Sequence, residues 1–562
     1  MPQIRPKDHA RRLASAKGIA LLSIAALATT SPAGAEDHAH SHVRFFSGNL
    51  VVSRSVYDNN AANVTIGAAL PPNCASTVGP CAPAINNGVY PFVFNNDTID
   101  ASFGITSKIF LDQITPSGSL LNSLEVPNSS LNNVHTGSNQ LVTSFSSKSE
   151  MALNLSTDGK LLTFMGYVAP INTIDVSNSN TPGVIDPTDP VGLNFFRAVA
   201  SVNRNGKFTF TETNAYSGNN GRAAILNNSN GANFFYTAGN AGNGGNPQPN
   251  GIVLGAGAQF IDPSTAPESF QTPVAPTPLG SFSVTELGDK ADKIGKDDNF
   301  RGLTIFNNVV YFTKGSGSNG VNTVYFVDTT GTACPKGVGI PAVGAPLSIA
   351  PLAFDPSALQ TTGLPNNMCI LAGFPTALAK TANPVAAPFG LWFADANTLY
   401  LADEGDGFAS NTTLYTHAAA QTAAGIQKWI FNSNTKTWNL AYVLQTGLDL
   451  GIPYTVTNYP TGNNPATNLP WAPATDGIRN ITGSVDKNGK ATIYGITSTV
   501  SGNGDQGADP NRLVAVTDDL SNTNAAKAAN ENFTIIRKAD FAEVLRGVSF
   551  APSGNDGNDG DN

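Results

Sequence analysis

A short pattern recurs along this chain of 562 residues and constrains its fold more than any other feature. It reads acid-x-apolar-Arg, then Gly or Asn, then an apolar residue and Thr or Ser, and its clearest copies begin at Asp298, Asp476 and Glu543. Looser copies fit the same frame elsewhere. The aligned residues, called anchor positions below, are 67 to 90 residues apart and comprise Glu150, Arg222, Arg301, Phe389, Arg479 and Arg546. A repeat of this length predicts one architecture built from similar units.

Each unit holds two predicted β-hairpins. Apolar strands follow the anchor positions and are separated by turns such as Asp158-Gly159 and Asn488-Gly489. Asp-Gly and Asn-Gly pairs favour hairpins, because type I′ turns need positive φ. Only 13% of the residues are charged, and there are 55 glycines and 37 prolines. That composition argues against coiled coils and helical bundles.

Four-stranded antiparallel units repeated around an axis form a β-propeller. We therefore predict an all-β fold, a single propeller over residues 36–552 with six four-stranded blades. Seven blades are the alternative if the segment between Cys334 and Cys369 holds a degenerate blade. Only one strand follows Arg546, so we expect the two chain ends to share a blade and close the ring. That blade would be completed by strands predicted at 42–47, 49–57, 109–114 and 119–126.

In this arrangement the chain resembles the six-bladed propellers of the NHL, gluconolactonase-like and strictosidine-synthase-like type. The resemblance lies in architecture and in the spacing of the blades over residues 42–552. It carries no catalytic motif that could be transferred to this chain, and a fold does not imply a function.

The two ends of the chain differ from the propeller in composition. Residues 1–35 combine basic residues, a short apolar run and a small-x-small site, which predicts an export signal peptide. The Arg11-Arg12 pair leaves twin-arginine export open beside the ordinary route. Residues 553–562 form an acidic, low-complexity tail that we expect to be disordered. The mature protein is therefore expected to be secreted or periplasmic.

The charge balance limits the classes of binding partner, and the cysteines predict disulfides. Removal of the signal takes five basic residues and one acid, which leaves 26 basic and 39 acidic residues of the original 31 and 40. This balance disfavours nucleic acid and anionic membrane surfaces, since both are held chiefly by Lys and Arg. No second segment is long and apolar enough to predict membrane insertion. In an oxidising compartment the four cysteines predict two disulfides, Cys74–Cys81 and Cys334–Cys369.

The anchor positions are the main candidates for a functional site. If they begin the innermost strands, four arginines meet at one mouth of the central channel. These are Arg222, Arg301, Arg479 and Arg546. A guanidinium group binds carboxylate or phosphate bidentately. We therefore predict a pocket for a small anionic molecule or carbohydrate, such as an acidic sugar, a lactone or a phosphate.

Two residues are candidates for acid or base at this mouth. Glu150 takes an anchor position, and His135 lies in the loop before it. If the protein is an enzyme, we expect a hydrolase or lyase that uses one of them. A surface-loop histidine is the alternative for His135. The chain lacks the Gly-x-Ser-x-Gly elbow, a Walker loop and a dinucleotide fingerprint.

Two other interpretations stay open. The acids at Asp298, Asp476 and Glu543 could pair with the arginines of the same or neighbouring repeats. The ring would then be an interblade ion-pair network in a non-catalytic extracellular scaffold or binding module. Separately, a loop following a predicted strand could bind calcium through carboxylate oxygens, or could be an ordinary solvated loop. Its acidic residues are Asp403, Glu404 and Asp406.

Overall fold

The computed structural model describes most of the chain beyond the N-terminal segment. The described residues are 43–70, 82–85, 96, 103–131, 140–145, 151–182, 191–213, 215–240, 257–263, 268–269, 280–281, 283–284, 299–316, 320–334, 337–342, 344–345, 347, 366–382, 384–465, 467–503 and 507–554. They belong to one compact unit, His42–Asn562. The fold is all-β, with 48% strand and 4% helix.

Six small sheets form a ring, which confirms the predicted six-bladed propeller. Blade 1 contains, in order, Glu543–Phe550, Leu50–Val56, Ile105–Ile114 and Leu120–Glu125. Blade 2 contains Asn154–Leu155, Leu161–Tyr167, Arg197–Asn203 and Phe208–Thr213. Blade 3 contains Gly221–Asn227, Phe234–Gly239, Ala258–Ile261 and Gly280–Ser281.

The second half of the chain supplies the other three blades. Blade 4 contains Phe300–Phe306, Val309–Lys314, Thr323–Val327 and Asn366–Leu371. Blade 5 contains Pro388–Asp395, Thr398–Asp403, Gly425–Asn432 and Thr437–Leu444. Blade 6 contains Ala474–Val485, Lys490–Val500, Arg512–Asp519 and Thr534–Lys538.

Short elements decorate the blades and their connections. The short strands are Ala69–Leu70, Ala82–Pro83, Thr143–Phe145, Ser179–Asn180, Val191–Asn194, Glu268–Ser269, Ser283–Val284 and Val338–Gly339. The helical elements are the 3-10 turns Ala61–Asn63 and Val176–Asn178 and the α-helix Leu414–Ala420. In the described part of the chain no helix has the length and apolar character needed to cross a membrane.

The first strand of each blade is the innermost one. Each contacts the first strand of the next blade, and the circuit returns from Glu543–Phe550 of blade 1 to Asn154–Leu155 of blade 2. In blade 1 the last strand of the chain pairs antiparallel with Leu50–Val56, so that Leu50 faces Phe550. The two ends of the described propeller therefore share one sheet, in which Leu50–Val56 is paired on both sides.

Glycines after three anchor positions allow neighbouring blades to approach closely. A Cβ on Gly302 would lie 2.1 Å from the carbonyl oxygen of Phe389, and one on Gly390 would lie 2.7 Å from that of Arg479. A Cβ on Gly547 would lie 2.3 Å from the carbonyl oxygen of Met151. These distances are too short for any side chain. The glycine of the repeated pattern is therefore explained by packing between blades.

Hydrophobic cores fill the space between the blades. Blades 4 and 5 meet through Phe393, whose ring lies 4.6 Å from those of Phe306 and Tyr311. Blades 5 and 6 meet through a cluster that includes Phe389 and Ile493. The rigid ring positions the anchor residues around the channel.

One predicted strand is wrong. Residues 43–47 are not a strand, although the prediction placed one at 42–47. The backbone N–H of Phe45 donates instead to the carbonyl of Arg204, at 2.7 Å. Because Phe45 is fully buried, the segment is held by docking on a hairpin turn of blade 2.

The Cys334–Cys369 disulfide is confirmed, with the two Cα atoms 6.0 Å apart. Cys369 lies in the strand Asn366–Leu371, so the bond closes the outer side of blade 4. The described strands of the segment that could have formed a seventh blade, Val338–Gly339 and Asn366–Leu371, belong to the sheet of blade 4. Cys74 and Cys81, the signal peptide at 1–35 and tail residues 555–562 lie outside the described residues.

Candidate functional site

The described anchor residues lie in innermost strands. Arg222, Arg301, Arg479 and Arg546 belong to blades 3, 4, 6 and 1 and are only 3–4% exposed. Phe389 takes the position in blade 5 and is fully buried. Glu150 and His135 lie outside the described residues, so their roles stay predictions.

Two of the arginines converge on one carboxylate. Arg479 Nε donates to Glu404 Oε2 at 3.0 Å, and Arg301 Nη1 lies 3.7 Å from Glu404 Oε1. Glu404 follows the second strand of blade 5, between the two blades that carry the arginines. All three side chains are at most 5% exposed. We call this cluster the Arg–Glu–Arg bridge.

An aromatic ring supports both guanidinium groups. The Cζ atoms of Arg301 and Arg479 lie 5.5 and 6.0 Å from the centre of the Phe389 ring. At this range the ring face attracts a cation. Arg301 also donates to Ser316 Oγ from Nε, at 3.1 Å, and from Nη2. These contacts fix the orientation of the guanidinium planes.

The described hydrogen bonds of the other two arginines are made with uncharged groups of the same or the neighbouring blade. Arg222 Nη1 donates to the carbonyl of Phe300 at 2.9 Å and to Asn299 Oδ1. Arg546 Nε donates to Ser55 Oγ at 3.1 Å, and its own carbonyl accepts from Asn480 Nδ2 at 2.8 Å. Contacts therefore run from one anchor region to the next around this part of the channel.

One hydrogen-bond donor of Arg479 is not used by the described residues. Its Nη2 is buried and has no hydrogen-bond partner among the described residues. An unsatisfied buried donor costs about 1–3 kcal/mol. Such a group is what an oxygen of a bound anion would satisfy.

The acids of the repeated pattern do not pair with their own arginines where the structure describes them. Asp476 accepts from the backbone N–H of Gly407 at 2.9 Å and from Gln421 Nε2. Glu543 pairs with Arg54. Asp298 lies outside the described residues. The carboxylate that pairs with Arg301 and Arg479 comes from blade 5 instead.

Two buried carboxyl groups lie on the loops next to the bridge. Burial raises the pKa of Asp476 to about 7, against lowering by the Gly407 N–H. Burial likewise raises the pKa of Asp403 to about 6, although N–H groups of Gly405 and Ala387 donate to it. Both groups gain protons more readily than ordinary carboxylates. Protonation of Asp476 near pH 7, and of Asp403 near pH 6, makes the neighbourhood less negative.

The three residues considered for calcium point to different partners. Asp403 accepts from Ala387 N at 3.1 Å, Glu404 joins the bridge, and Asp406 lies 2.6 Å from His417 Nε2. Asp406 is 43% exposed at its side chain, whereas the other two are buried. In the described part of the chain these three carboxylates do not gather within 4.8 Å of one another.

The role of Glu404 could not be read from the repeat. Its blade has Phe389 in place of an arginine, so the exceptional blade supplies both the aromatic platform and the carboxylate. The acidic pair Asp403-Glu404 at a strand end was visible in the sequence, but it suggested a metal. The missing information was that this strand end faces two arginines from the flanking blades.

Comparison with known proteins adds little. No family model matches the chain, and no curated protein does. Among solved structures, a post-proline cleaving enzyme from Rickettsia typhi is similar at 10% identity and a TM-score of 0.23, covering 78% of this chain and 42% of that one. The chain thus spans less than half the length of that enzyme. A TM-score of this size supports no conclusion about function, and the fold assignment depends on the six sheets themselves.

Proposed function

We propose that this protein is an exported β-propeller that binds a small anionic ligand at the Arg–Glu–Arg bridge. The ligand class is an acidic sugar, a lactone or a phosphate. The observation that carries the proposal is the buried Nη2 of Arg479, which has no hydrogen-bond partner among the described residues. Export is inferred from the signal at residues 1–35.

Charge supports an anion rather than a cation. Among the described residues, two guanidinium groups share the carboxylate of Glu404. Burial also raises the pKa of the nearby Asp476, which weakens its negative charge near pH 7. Charge-assisted hydrogen bonds to an anion are stronger in such a buried site than in water.

A second argument for anion binding is that the side chains of the bridge are already ordered. Glu404 holds Arg479, Ser316 holds Arg301, and Phe389 lies against both. Side chains that are already ordered lose little entropy when a ligand arrives. The Glu404 carboxylate then acts as a positioning group and also as an internal competitor for the same donors.

A thermal-shift screen tests the proposal. Glucuronate, galacturonate, gluconate (the open-chain acid of gluconolactone) and inorganic phosphate are each added to the full mature chain. We expect at least one to raise the unfolding temperature, and Arg479→Gln to remove that rise. Arg44→Gln is the matched control, because Arg44 is exposed and lies outside the bridge. No rise with any of these compounds, or a rise that survives Arg479→Gln, would refute the proposal.

The second candidate is a non-catalytic scaffold in which the bridge only joins blades. It is favoured by one observation, the position of Glu404 between arginines of blades 4 and 6. Breaking a buried ion pair costs about 3–5 kcal/mol. Under this alternative Glu404→Gln destabilises the protein and no anion restores it. Under the proposal, Glu404→Gln removes the competitor, so anions stabilise this variant more than the unmodified protein.

A further inference from the structure

A cavity of about 430 Å³ lies where all six blades meet. Its lining includes one residue from each innermost strand: Asn154, Ile225, Thr304, Leu391, Ile481 and Ser549. Only the axis of a propeller is adjacent to all six innermost strands, so the cavity lies in the central channel. Its volume is within the range of small-molecule sites.

The cavity lies away from the Arg–Glu–Arg bridge. In blade 4, Thr304 follows Arg301 by three residues along the same strand, and in blade 6 Thr482 follows Arg479 by three. At about 3.3 Å per residue this separation is roughly 10 Å along the channel. The two regions are distinct parts of one channel.

The described part of the lining is polar, and its side chains are uncharged. None of the described residues that line the cavity is Asp, Glu, Lys, Arg or His. Asn, Ser and Thr side chains supply hydrogen bonds, and Leu, Ile, Trp and Phe supply apolar surface. Neither an anion nor a cation finds a counter-charge there, so the lining suits a neutral ligand.

The polar groups divide into two sides. On the side of blades 2 and 3 they are bonded to the protein itself: Asn154 Nδ2 donates to the carbonyl of Ala224 at 3.3 Å, and Ser229 Oγ donates to Thr157 at 2.8 Å. On the opposite side the side chains of several lining residues make no hydrogen bond within the part of the chain that the structure describes. These are Thr304, Asn307, Asn308, Trp392, Thr482 and Ser549.

One aromatic residue is fixed in the lining. The indole of Trp392 stacks on Tyr400 with ring centres 5.7 Å apart and an interplanar angle of 18°. Gly483 leaves room for it, since a Cβ there would lie 2.7 Å from the indole. The ring is thus held without using its N–H, which leaves that donor for a ligand.

We propose that this cavity binds an uncharged sugar. Hydroxyl groups both donate and accept hydrogen bonds, and so do the amide of Asn308 and the hydroxyls of Thr304 and Thr482. A sugar ring also presents apolar C–H groups to the indole of Trp392. Sites with aromatic surface and a few placed polar groups are typical for small ligands. The proposal is independent of the anion site, because it uses other residues and a ligand without charge.

The test uses the full mature chain and a panel of defined sugars. Glucose, galactose, mannose, xylose, N-acetylglucosamine, maltose and cellobiose are examined by saturation-transfer-difference NMR up to about 10 mM, a range that detects weak sites. Binders are then measured by calorimetry. Glucuronate and the neutral dipeptide amide N-acetyl-Gly-Asn-NH₂ are included for comparison.

Three variants locate the binding. Trp392→Phe removes the indole N–H but keeps a ring, and Thr482→Val removes a hydroxyl with little change of shape. Each is expected to weaken a binding sugar about fivefold, the equivalent of one hydrogen bond of about 1 kcal/mol. Thr492→Val, in the next strand of blade 6, is the matched control and should leave the affinity unchanged. Circular dichroism verifies that each variant folds.

The outcomes separate the two sites. Sugar binding that falls in Trp392→Phe and Thr482→Val but persists in Arg479→Gln supports the proposal, whatever the anion screen shows. Absence of binding by every neutral sugar overturns it. Binding that is unaffected by both cavity variants, or binding of the dipeptide amide alone, overturns it as well.

Discussion

The most quantitative prediction concerns a buried ion pair between blades 5 and 6. Lys428 Nζ lies 2.8 Å from Asp518 Oδ2, and both side chains are fully buried. The hydroxyl groups of Tyr400 and Tyr442 donate to the same carboxylate. Lys428 also donates to the carbonyl of Asp519 at 2.8 Å. One lysine therefore neutralises a buried charge and fastens a turn of the next blade.

Lys428→Met leaves the Asp518 carboxylate buried without its counter-ion. We expect a loss of about 3–5 kcal/mol in the free energy of unfolding, the usual effect of breaking such a pair from one side. The double variant Lys428→Met/Asp518→Asn should be more stable than Lys428→Met, because the buried carboxylate is then gone and the new amide oxygen still accepts from one of the two tyrosine hydroxyls. The gain should be about 1–3 kcal/mol.

An exposed ion pair within blade 6 offers a matched control. Lys490 Nζ also lies 2.8 Å from a carboxylate oxygen, that of Asp519, but the two side chains are 47% and 31% exposed. Lys490→Met makes the same chemical change on the surface. It should cost at most about 1 kcal/mol, since exposed pairs are weak.

Urea unfolding followed by tryptophan fluorescence is the appropriate assay. The four tryptophans lie in blade 5 or just before blade 6, so they report on this interface: Trp392, Trp429, Trp438 and Trp471. Equal losses in Lys428→Met and Lys490→Met would refute the reasoning. A double variant no more stable than Lys428→Met would refute it too.

Three further predictions concern stability. Gly302→Ala should lower the free energy of unfolding by about 3 kcal/mol, because its Cβ would meet the Phe389 carbonyl. Gly331→Ala, with open space around it, should lower it by about 1 kcal/mol for a left-handed alanine. Urea midpoints that differ little between the two variants would contradict this. Stability should fall as the pH rises from about 4 to 7, because Asp476 with its pKa near 7 is still protonated in the fold when its unfolded counterpart is ionised. In Asp476→Asn the unfolding temperature should vary less with pH over that interval. A pH dependence equal to that of the unmodified protein would contradict this prediction. Replacing Cys334 and Cys369 by serine opens a loop of 35 residues and should cost about 3–4 kcal/mol in unfolding experiments; stability equal to that of the oxidised protein would be inconsistent with the disulfide's role.

Much of the fold could be predicted from the sequence because the repeat carries its own geometry. The Arg-Gly pair marks an innermost strand, since glycine there admits the backbone of the next blade. Asn488-Gly489 marks the hairpin of blade 6. The strand predicted at 42–47 failed because an apolar run does not reveal whether it pairs with a strand or docks on a turn, as Phe45 does.

The candidate site was only partly predictable. The four arginines were identified because they share a position in the repeat. Glu404 was seen but given another role, since its partners are about 75 and 100 residues away in the sequence and only the packing of three successive blades brings them together. The central cavity was not foreseen, because its uncharged lining residues form no motif.

Crystals soaked in sodium selenate or sodium bromide would test the anion site most directly. Selenium and bromine scatter anomalously, so a bound anion is located without reference to any ligand chosen in advance. We predict an anomalous peak within hydrogen-bond distance of Arg479 Nη2, strengthened in Glu404→Gln crystals. Peaks confined to other surfaces, with the bridge empty in both proteins, would contradict the proposal that this end of the channel binds anions.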